Sequence, residues 1–172
     1  AAAMAVALSR GLFDLDAKVA DYWPEFSSGN KQHITVRQLL SHQAGLVSIN
    51  QKLTPAMLAD HDLMADITAA QRPLWQPGSM HGYHTLTLGW YQNELIRRLD
   101  PAGRSLGEFF ADESARPLGI EFYIGLPETV HPARISNTKG FQKLELLANL
   151  DQLPWKMVIS GIWPRSVVSR SI

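Results

Sequence analysis

The sequence contains no cysteine among its 172 residues. This absence excludes disulfide bonds, zinc sites built on thiolates and cysteine nucleophiles. Positive and negative charges balance, with 16 Lys and Arg against 16 Asp and Glu. Nucleic-acid binding requires a basic surface that releases counterions, so this balance argues against a nucleic-acid partner. No apolar run approaches the ~18–20 residues that a membrane span needs, and the sequence assigns no compartment.

The composition that remains, 45% hydrophobic and 19% charged residues, is typical of a globular domain. The chain opens on an apolar, alanine-rich stretch over residues 1–8 that resembles the interior of a helix and has no capping residue before it. We therefore expect that the start of this helix is missing. Neither repeats nor a linker interrupt the chain, which predicts a single partial domain over residues 1–172.

Helical signals dominate the chain, and one segment favours a strand. Two helix starts, Thr35–Gln38 and Ser105–Glu108, have the spacing of a capping box. Alternation of apolar residues over 120–124 favours a short strand. The predicted fold class is therefore mainly α with short strands. Helices are expected over residues 1–8, 19–23, 35–45, 54–70, 83–99 and 105–116. For residues 137–160 the sequence does not distinguish helix from loop.

Two serines formally match hydrolase motifs, and neither match has the expected local structure. Ser28 and Lys31 form Ser-x-x-Lys, but the intervening Gly-Asn predicts a turn where the chemistry needs a helix. Ser105 lies in Gly-x-Ser-x-Gly, but no strand precedes it and it already serves as a helix N-cap. Catalysis by Ser105 in a small helical domain that folds alone is retained as the weakest alternative.

The histidines show no paired spacing of the kind that binds a metal, and no glycine-rich phosphate loop follows a strand. The sequence therefore predicts neither a metal site nor a cofactor. The six histidines are His33, His42, His61, His81, His84 and His131.

One loop carries a stronger chemical signal. Residues 73–82 contain two prolines and two glycines, and Tyr83 follows them directly. We expect Tyr83 to start a helix, where the helix dipole and nearby cations would favour the phenolate and make it a general base. The alternative is a buried tyrosine that only packs.

Five blocks, in this order and spacing, resemble the serine β-lactamase-like family of class C β-lactamases, penicillin-binding proteins and related esterases. The resemblance runs from about Ala5 to Pro127 and becomes loose beyond His131. Two of the blocks are most similar to animal members of the β-lactamase domain-containing protein 2 type. The blocks read GLFDLDAKVADYWPEF, ITVRQLLSHQAGL, PLWQPGSMHGYHTLTLGW, RRLDPAGRSLGEFF and PLGIEFYIGLP.

The resemblance implies an α/β parent fold of the β-lactamase/transpeptidase type, in which an antiparallel sheet and a helical region enclose the active site. It also implies acyl transfer, in which the serine of Ser-x-x-Lys attacks a carbonyl and a tyrosine manages the proton. Tyr83 matches the tyrosine of the family's Tyr-x-Asn motif and would be catalytic. His84 and Thr85 complete that motif and would bind substrate. Because Thr85 replaces the asparagine, esters or peptides are favoured over β-lactams.

Two family motifs are expected at positions outside residues 1–172. Ser-x-x-Lys should precede Ala1, and Lys-Thr-Gly or His-x-Gly should follow Ile172, whereas residues 138–140 read Thr-Lys-Gly. We therefore expect a fragment of a hydrolase that acts on a small ester, amide or peptide and is inactive alone. The alternative is a non-catalytic binding or structural protein that retains the scaffold. Apolar faces over residues 1–8 and 83–99, left uncovered, would favour self-association.

Overall fold

A computed structural model describes residues 1–136. They divide into a first unit over residues 1–124 and the beginning of a second unit from Gly125 onward. The second unit contributes one 3₁₀ turn, Pro132–Arg134. The first unit contains α1 (Ala2–Ser9), α2 (Val19–Tyr22), a 3₁₀ turn (Pro24–Ser27), α3 (Val36–Leu40), α4 (Pro55–Ala59), α5 (His61–Ala70), α6 (Leu88–Leu99), α7 (Leu106–Phe110), a π-helical segment (Ala111–Ala115) and α8 (Arg116–Leu118).

The predominantly helical prediction is confirmed for this part of the chain, but the predicted strand at 120–124 is wrong. Residues 1–136 contain no strand, and their isolated β-bridge joins Lys18 to Thr35. A strand is stabilised by hydrogen bonds to a neighbouring strand. Within residues 1–136 no strand pairs with residues 120–124, and the apolar side chains of this segment are exposed. No helix in residues 1–136 has both the length and the apolar character of a membrane span.

The core of the first unit centres on three aromatic rings. Trp23, Phe26 and Tyr91 are almost fully buried, and their ring centroids lie 5.4–6.3 Å apart. The Tyr91 hydroxyl donates to the carbonyl of Thr68 over 3.3 Å. The apolar face of α6 is therefore covered by α2, the first 3₁₀ turn and α5, contrary to the expectation that this face is uncovered.

Local polar side chains decide where several helices begin. The capping boxes at Thr35–Gln38 and Ser105–Glu108 are both present as predicted. The long helix predicted over 54–70 is instead two helices, because Asp60 is extended and its side chain accepts a hydrogen bond from the N–H of Leu63. A second N-cap inside an apolar pattern thus starts a new helix.

Two helix ends also differ from the sequence prediction. α3 ends at Leu40 and not at Gly45, because His42 has already left the helical region, with φ +63°. In contrast, the helix that begins after Ser105 continues through the π-helical segment and past Pro117 to Leu118, and Gly119, with φ +63°, is its C-cap. The left-handed conformation at Gly119 costs little because glycine has no Cβ.

Candidate active site

The predicted functional residues lie on one loop, residues 74–87, which we call the Tyr83 loop. It lies against residues 42–46, which we call the support segment. The N–H of Leu74 donates to the carbonyl of Gly45 over 2.9 Å, and the N–H of Gly78 donates to the carbonyl of Gln43 over 3.0 Å. These backbone hydrogen bonds attach the first half of the loop to the support segment.

His42 attaches the second half of the loop. Its carbonyl accepts a hydrogen bond from the N–H of Gly82 over 3.0 Å. Its Nδ1 accepts a second bond from the N–H of His84 over 3.1 Å. The residues on both sides of Tyr83 are therefore bonded to the same histidine, and the His42 ring also lies 4.8 Å from the Tyr83 ring in an edge-to-face arrangement.

Trp75 also restricts the backbone next to Tyr83. A Cβ added at Gly82 would lie 2.2 Å from Cη2 of the Trp75 indole, which is far inside van der Waals contact. The sequence therefore uses glycine at this position because the indole and the loop backbone approach each other closely.

Tyr83 itself is 71% exposed, so its hydroxyl is open to solvent and is not that of a packing tyrosine. The expectation that Tyr83 starts a helix is wrong, because α6 begins at Leu88. Thr87 precedes that helix, but its hydroxyl donates to the carbonyl of Leu46 over 2.7 Å and does not cap α6. The Thr87 hydroxyl is therefore bonded to the support segment and is not available as the N-cap of α6.

His84 has its side chain buried directly beneath this loop, with 1% exposure. Its Nε2 accepts a hydrogen bond from the N–H of Leu46 over 3.3 Å, which assigns the ring proton to Nδ1. That Nδ1 has no hydrogen-bond partner among residues 1–136. Burial, aided by the nearby ring of His42, lowers the pKa of His84 to about 4, so the ring is neutral at physiological pH.

Thr85 follows His84 and is exposed in the turn that leads into α6. Tyr83 and Thr85 are thus both open to solvent, while the residue between them is buried. The loop presents two side chains that can contact a small molecule, a hydroxyl on an aromatic ring and a hydroxyl on a short branched side chain.

The two rejected serine motifs have structural roles. Ser105 Oγ accepts from the N–H of Glu108 and donates to that residue's carboxylate, as expected of an N-cap. Ser28 Oγ donates to the carbonyl of Ala69 over 2.6 Å. The fully buried Lys31 ammonium donates to the same carbonyl and to that of Gln71. Ser28 and Lys31 therefore connect the turn over residues 28–31 to the end of α5 by hydrogen bonds.

The sequence reasoning missed two features. The first is His42, for which the sequence carries no local signal because its partners lie some 40 residues further along the chain. The second is another formal Ser-x-x-Lys match at residues 136–139, which a direct search for the pattern would have found. Ser136 is exposed, and the remainder of that match lies outside the described residues. The region left open at 137–160 lies outside them as well.

No group of three or more histidine or acidic side chains in residues 1–136 is placed to hold a metal ion. His81, which is close to His84 in the sequence, is exposed, whereas His84 is buried. The side chains of the Tyr83 loop itself offer hydrogen bonding and proton transfer at the phenol, and hydrogen bonding at the threonine.

Comparison with known proteins defines the class. A sequence model described as beta-lactamase matches residues 1–151, and the chain belongs to this family. The esterase/beta-lactamase LipL of Mycobacterium tuberculosis is 37% identical over 131 residues, which make up 74% of this chain and 29% of LipL.

Solved structures agree on the fold. A family VIII carboxylesterase is 42% identical with a TM-score of 0.71, over 74% of this chain and 35% of that one. A penicillin-binding protein homologue from Caulobacter crescentus is 34% identical with a TM-score of 0.68, over 89% of this chain and 42% of that one. The chain thus has a β-lactamase/transpeptidase-like fold and spans less than half the length of these relatives. The expected likeness to animal members stays a prediction.

Proposed function

We propose that this chain supplies the proton-transfer tyrosine of a serine hydrolase that acts on a small ester, amide or peptide by acyl transfer. The observation that carries the proposal is Tyr83, an exposed phenol on a loop whose backbone is bonded on both sides of it. Membership of the β-lactamase family and the likeness to esterases support the reaction class.

In this reaction a serine hydroxyl attacks the substrate carbonyl, and the leaving group departs to give an acyl-enzyme that water then hydrolyses. Tyr83 would accept the serine proton during attack and return a proton to the leaving group. Thr85, exposed beside it, would hydrogen-bond the substrate. His84 is buried and would help to hold the substrate-binding segment from beneath.

We propose further that residues 1–172 form a partial domain that is inactive alone. The hydroxyl of Ser28 donates to the carbonyl of Ala69 and that of Ser105 to the carboxylate of Glu108, and neither serine is paired with a lysine at the start of a helix. The activity of the 172-residue chain should therefore be lower than that of an intact family member by about 10⁴-fold or more, as when a catalytic nucleophile is removed.

Labelling with a fluorophosphonate, which reacts with activated serines, tests this directly. The 172-residue chain should show no added mass, whereas the longest natural polypeptide that contains it should be labelled once. Labelling of the short chain at Ser28, Ser105 or Ser136, identified by peptide mapping, would show that the chain carries its own nucleophile. If neither polypeptide is labelled, the alternative of a non-catalytic binding or structural protein is favoured.

The role of Tyr83 is tested by Tyr83→Phe in the longest natural polypeptide, with p-nitrophenyl esters, nitrocefin and a short peptide as substrates. We expect kcat to fall by about 10²–10⁴-fold with KM little changed, because the phenol acts in proton transfer. Tyr123→Phe, which alters another exposed tyrosine, is the matched control and should stay within about twofold. A Tyr83→Phe variant with full activity would exclude Tyr83 as the base.

Self-association is also proposed, on a different surface. An open apolar depression of about 200 Å³ lies beside α1, and Leu8 at its edge is 37% exposed. Exposed apolar surface favours association. A single monomeric species in light scattering would contradict this proposal. The depression is lined by Ala1, Met4, Ala5, Leu8, Phe13, Leu15, Leu40 and Gln92.

A further inference from the structure

We propose that His42 is a positioning residue that orients Tyr83, by bonding the backbone on both sides of Tyr83 and by contact with its ring. The catalytic consequence of this role rests on the function proposed above, but the positioning itself does not. His42 is 41 residues before Tyr83 in the sequence and belongs to the support segment, so only the fold brings the two together.

The hydrogen bonds to the backbone are the first observation. The Gly82 N–H donates to the His42 carbonyl, and the His84 N–H donates to the His42 Nδ1. One residue therefore binds the peptide group that follows Tyr83 and the N–H of Gly82, the residue before it. These two bonds restrict the backbone on either side of Tyr83, and with it the direction in which the Tyr83 side chain leaves the loop.

The ring contact is the second observation. Tyr83 is 71% exposed, so packing in the core does not orient its phenol. The His42 imidazole lies 4.8 Å from the phenol ring at an interplanar angle of 61°. Edge-to-face arrangements of this kind are favourable at centroid distances of about 4.5–7 Å. The imidazole thus supplies a lateral contact for a ring that is otherwise largely in solvent.

The backbone of His42 is the third observation. Its φ of +63° lies in the left-handed region, and in residues 1–136 Asn30 is the other non-glycine residue with a positive φ. This conformation is uncommon for residues with a Cβ, although histidine adopts it more readily than most. Local strain of this kind clusters at functional sites. At His42 the left-handed conformation directs both the carbonyl and the imidazole towards the Tyr83 loop.

The bond to the His84 N–H requires that Nδ1 of His42 carry no proton. Burial lowers the pKa of the His42 imidazole below its usual range, and the neighbouring His81 lowers it further. A lower pKa favours the neutral imidazole, in which one ring nitrogen can accept a hydrogen bond. This agrees with the geometry, on which the proposal stands.

The first test is made on the wild-type chain, and a variant serves only for the assignment of resonances. In the folded 172-residue chain labelled with ¹⁵N, a scalar coupling across the hydrogen bond should join the His84 amide nitrogen to His42 Nδ1. A nuclear Overhauser effect should join the His42 and Tyr83 ring protons, with Tyr83 assigned by comparison with Tyr83→Phe. The absence of both signals in a well-folded sample would overturn the proposal.

The second test separates the two contacts. His42→Asn keeps a side-chain acceptor and tolerates a positive φ, whereas His42→Ala removes the acceptor and the ring. We expect exchange of the His84 amide hydrogen to accelerate about tenfold or more in His42→Ala and to stay near the wild-type rate in His42→Asn. The Tyr83 ring resonances should shift in both variants, while those of Tyr123 stay unchanged. Unchanged Tyr83 resonances in both would overturn the proposal.

Activity then distinguishes this proposal from the function on which its consequence rests. In the longest natural polypeptide, His42→Asn should lower kcat by about 10- to 100-fold with little change in KM, because a misplaced catalytic group slows the chemical step. If Tyr83→Phe leaves kcat intact, the proposed function fails although the positioning measured by resonance stands. If Tyr83→Phe abolishes activity while both His42 variants keep full kcat, the positioning role fails.

Discussion

Tyr91 lies in the aromatic core with its side chain fully buried, whereas Tyr83, on the loop before the same helix, has most of its ring in solvent. Tyr91 is held by its side chain, through contact with Trp23 and Phe26 and a hydrogen bond to Thr68. Tyr83 is held through its neighbours, whose N–H groups are bonded to His42.

The two tyrosines differ in what their side chains can do: one stabilises the core, and the other presents its hydroxyl to solvent. Burial raises the pKa of the Tyr91 phenol far above its usual value, so this hydroxyl keeps its proton and cannot exchange it with a substrate. The Tyr83 hydroxyl is open to solvent and adds little buried area. A tyrosine whose backbone is fixed while its hydroxyl stays free meets the two requirements of a proton-transfer group, position and access.

The largest expected effect compares the two tyrosines directly. Tyr91→Ala should lower the free energy of unfolding by about 3–5 kcal/mol, since it removes a fully buried aromatic side chain. Tyr83→Ala should change it by about 0.5 kcal/mol or less, as for most surface substitutions. Urea denaturation followed by circular dichroism measures both. Similar losses for the two variants would show that Tyr83 also belongs to the core.

A second prediction concerns the buried Lys31. Lys31→Met should lower the free energy of unfolding by about 1–3 kcal/mol, because the Gln71 carbonyl loses its lysine donor and the Ala69 carbonyl keeps only the bond from Ser28. Ser9→Ala, which removes an exposed hydroxyl bonded to the Val6 carbonyl, is a surface control and should stay within about 0.5 kcal/mol.

The same lysine gives a pH dependence. Burial lowers the pKa of Lys31 to about 8 from its usual 10.5. Between these values the unfolded chain binds a proton that the folded chain has released, so stability contributed by this group rises with pH over that range. The stability difference between wild type and Lys31→Met should therefore widen from pH 8 towards 10.5. A difference that stays constant or narrows would show that the buried amine does not titrate there.

A third prediction uses two glycines. Gly82→Ala should destabilise the chain by about 1–3 kcal/mol, as for overpacking, because the added methyl group would collide with the Trp75 indole beside Tyr83. Gly89 lies in α6 with no atom within 4 Å of an added Cβ. Gly89→Ala should therefore stabilise by about 0.5–1 kcal/mol through helix propensity. Thermal unfolding of both variants checks this contrast, and a tolerated Gly82→Ala would show that the loop is loosely held.

The smallest expected effect is at Ser105. Ser105→Ala should cost about 1 kcal/mol, because the N–H of Glu108 loses its cap. In any polypeptide with measurable hydrolysis, the same variant should keep its activity, since this hydroxyl is already bonded as a cap. Loss of activity without loss of stability would instead revive the alternative of a Ser105 nucleophile.

Local interactions explain which elements were predictable. Capping boxes at Thr35 and Ser105, and the end of α6 at Asp100, involve residues within one turn of each other, so their sequence patterns predict them well. The break at Asp60 is also local and was missed, because an apolar pattern hid a second N-cap. The strand at 120–124 failed for another reason, since a strand depends on a partner that its own residues do not specify.

The candidate site shows the same division. The sequence singled out Tyr83, His84 and Thr85, because prolines and glycines before them and the family blocks around them are local signals. It did not show that His84 is buried while its two neighbours are exposed. Nor did it connect this loop to the support segment.

By itself, the sequence determined the helical class, the helix caps at Thr35 and Ser105, the balanced charge and the family, because each follows from composition or from residues close together in the chain. Only the tertiary structure decided that Tyr83 lies ahead of α6 and not within it, and that His42 bonds the residues on either side of it. Those contacts join residues some 40 positions apart, and they form only once the core has brought the two segments together.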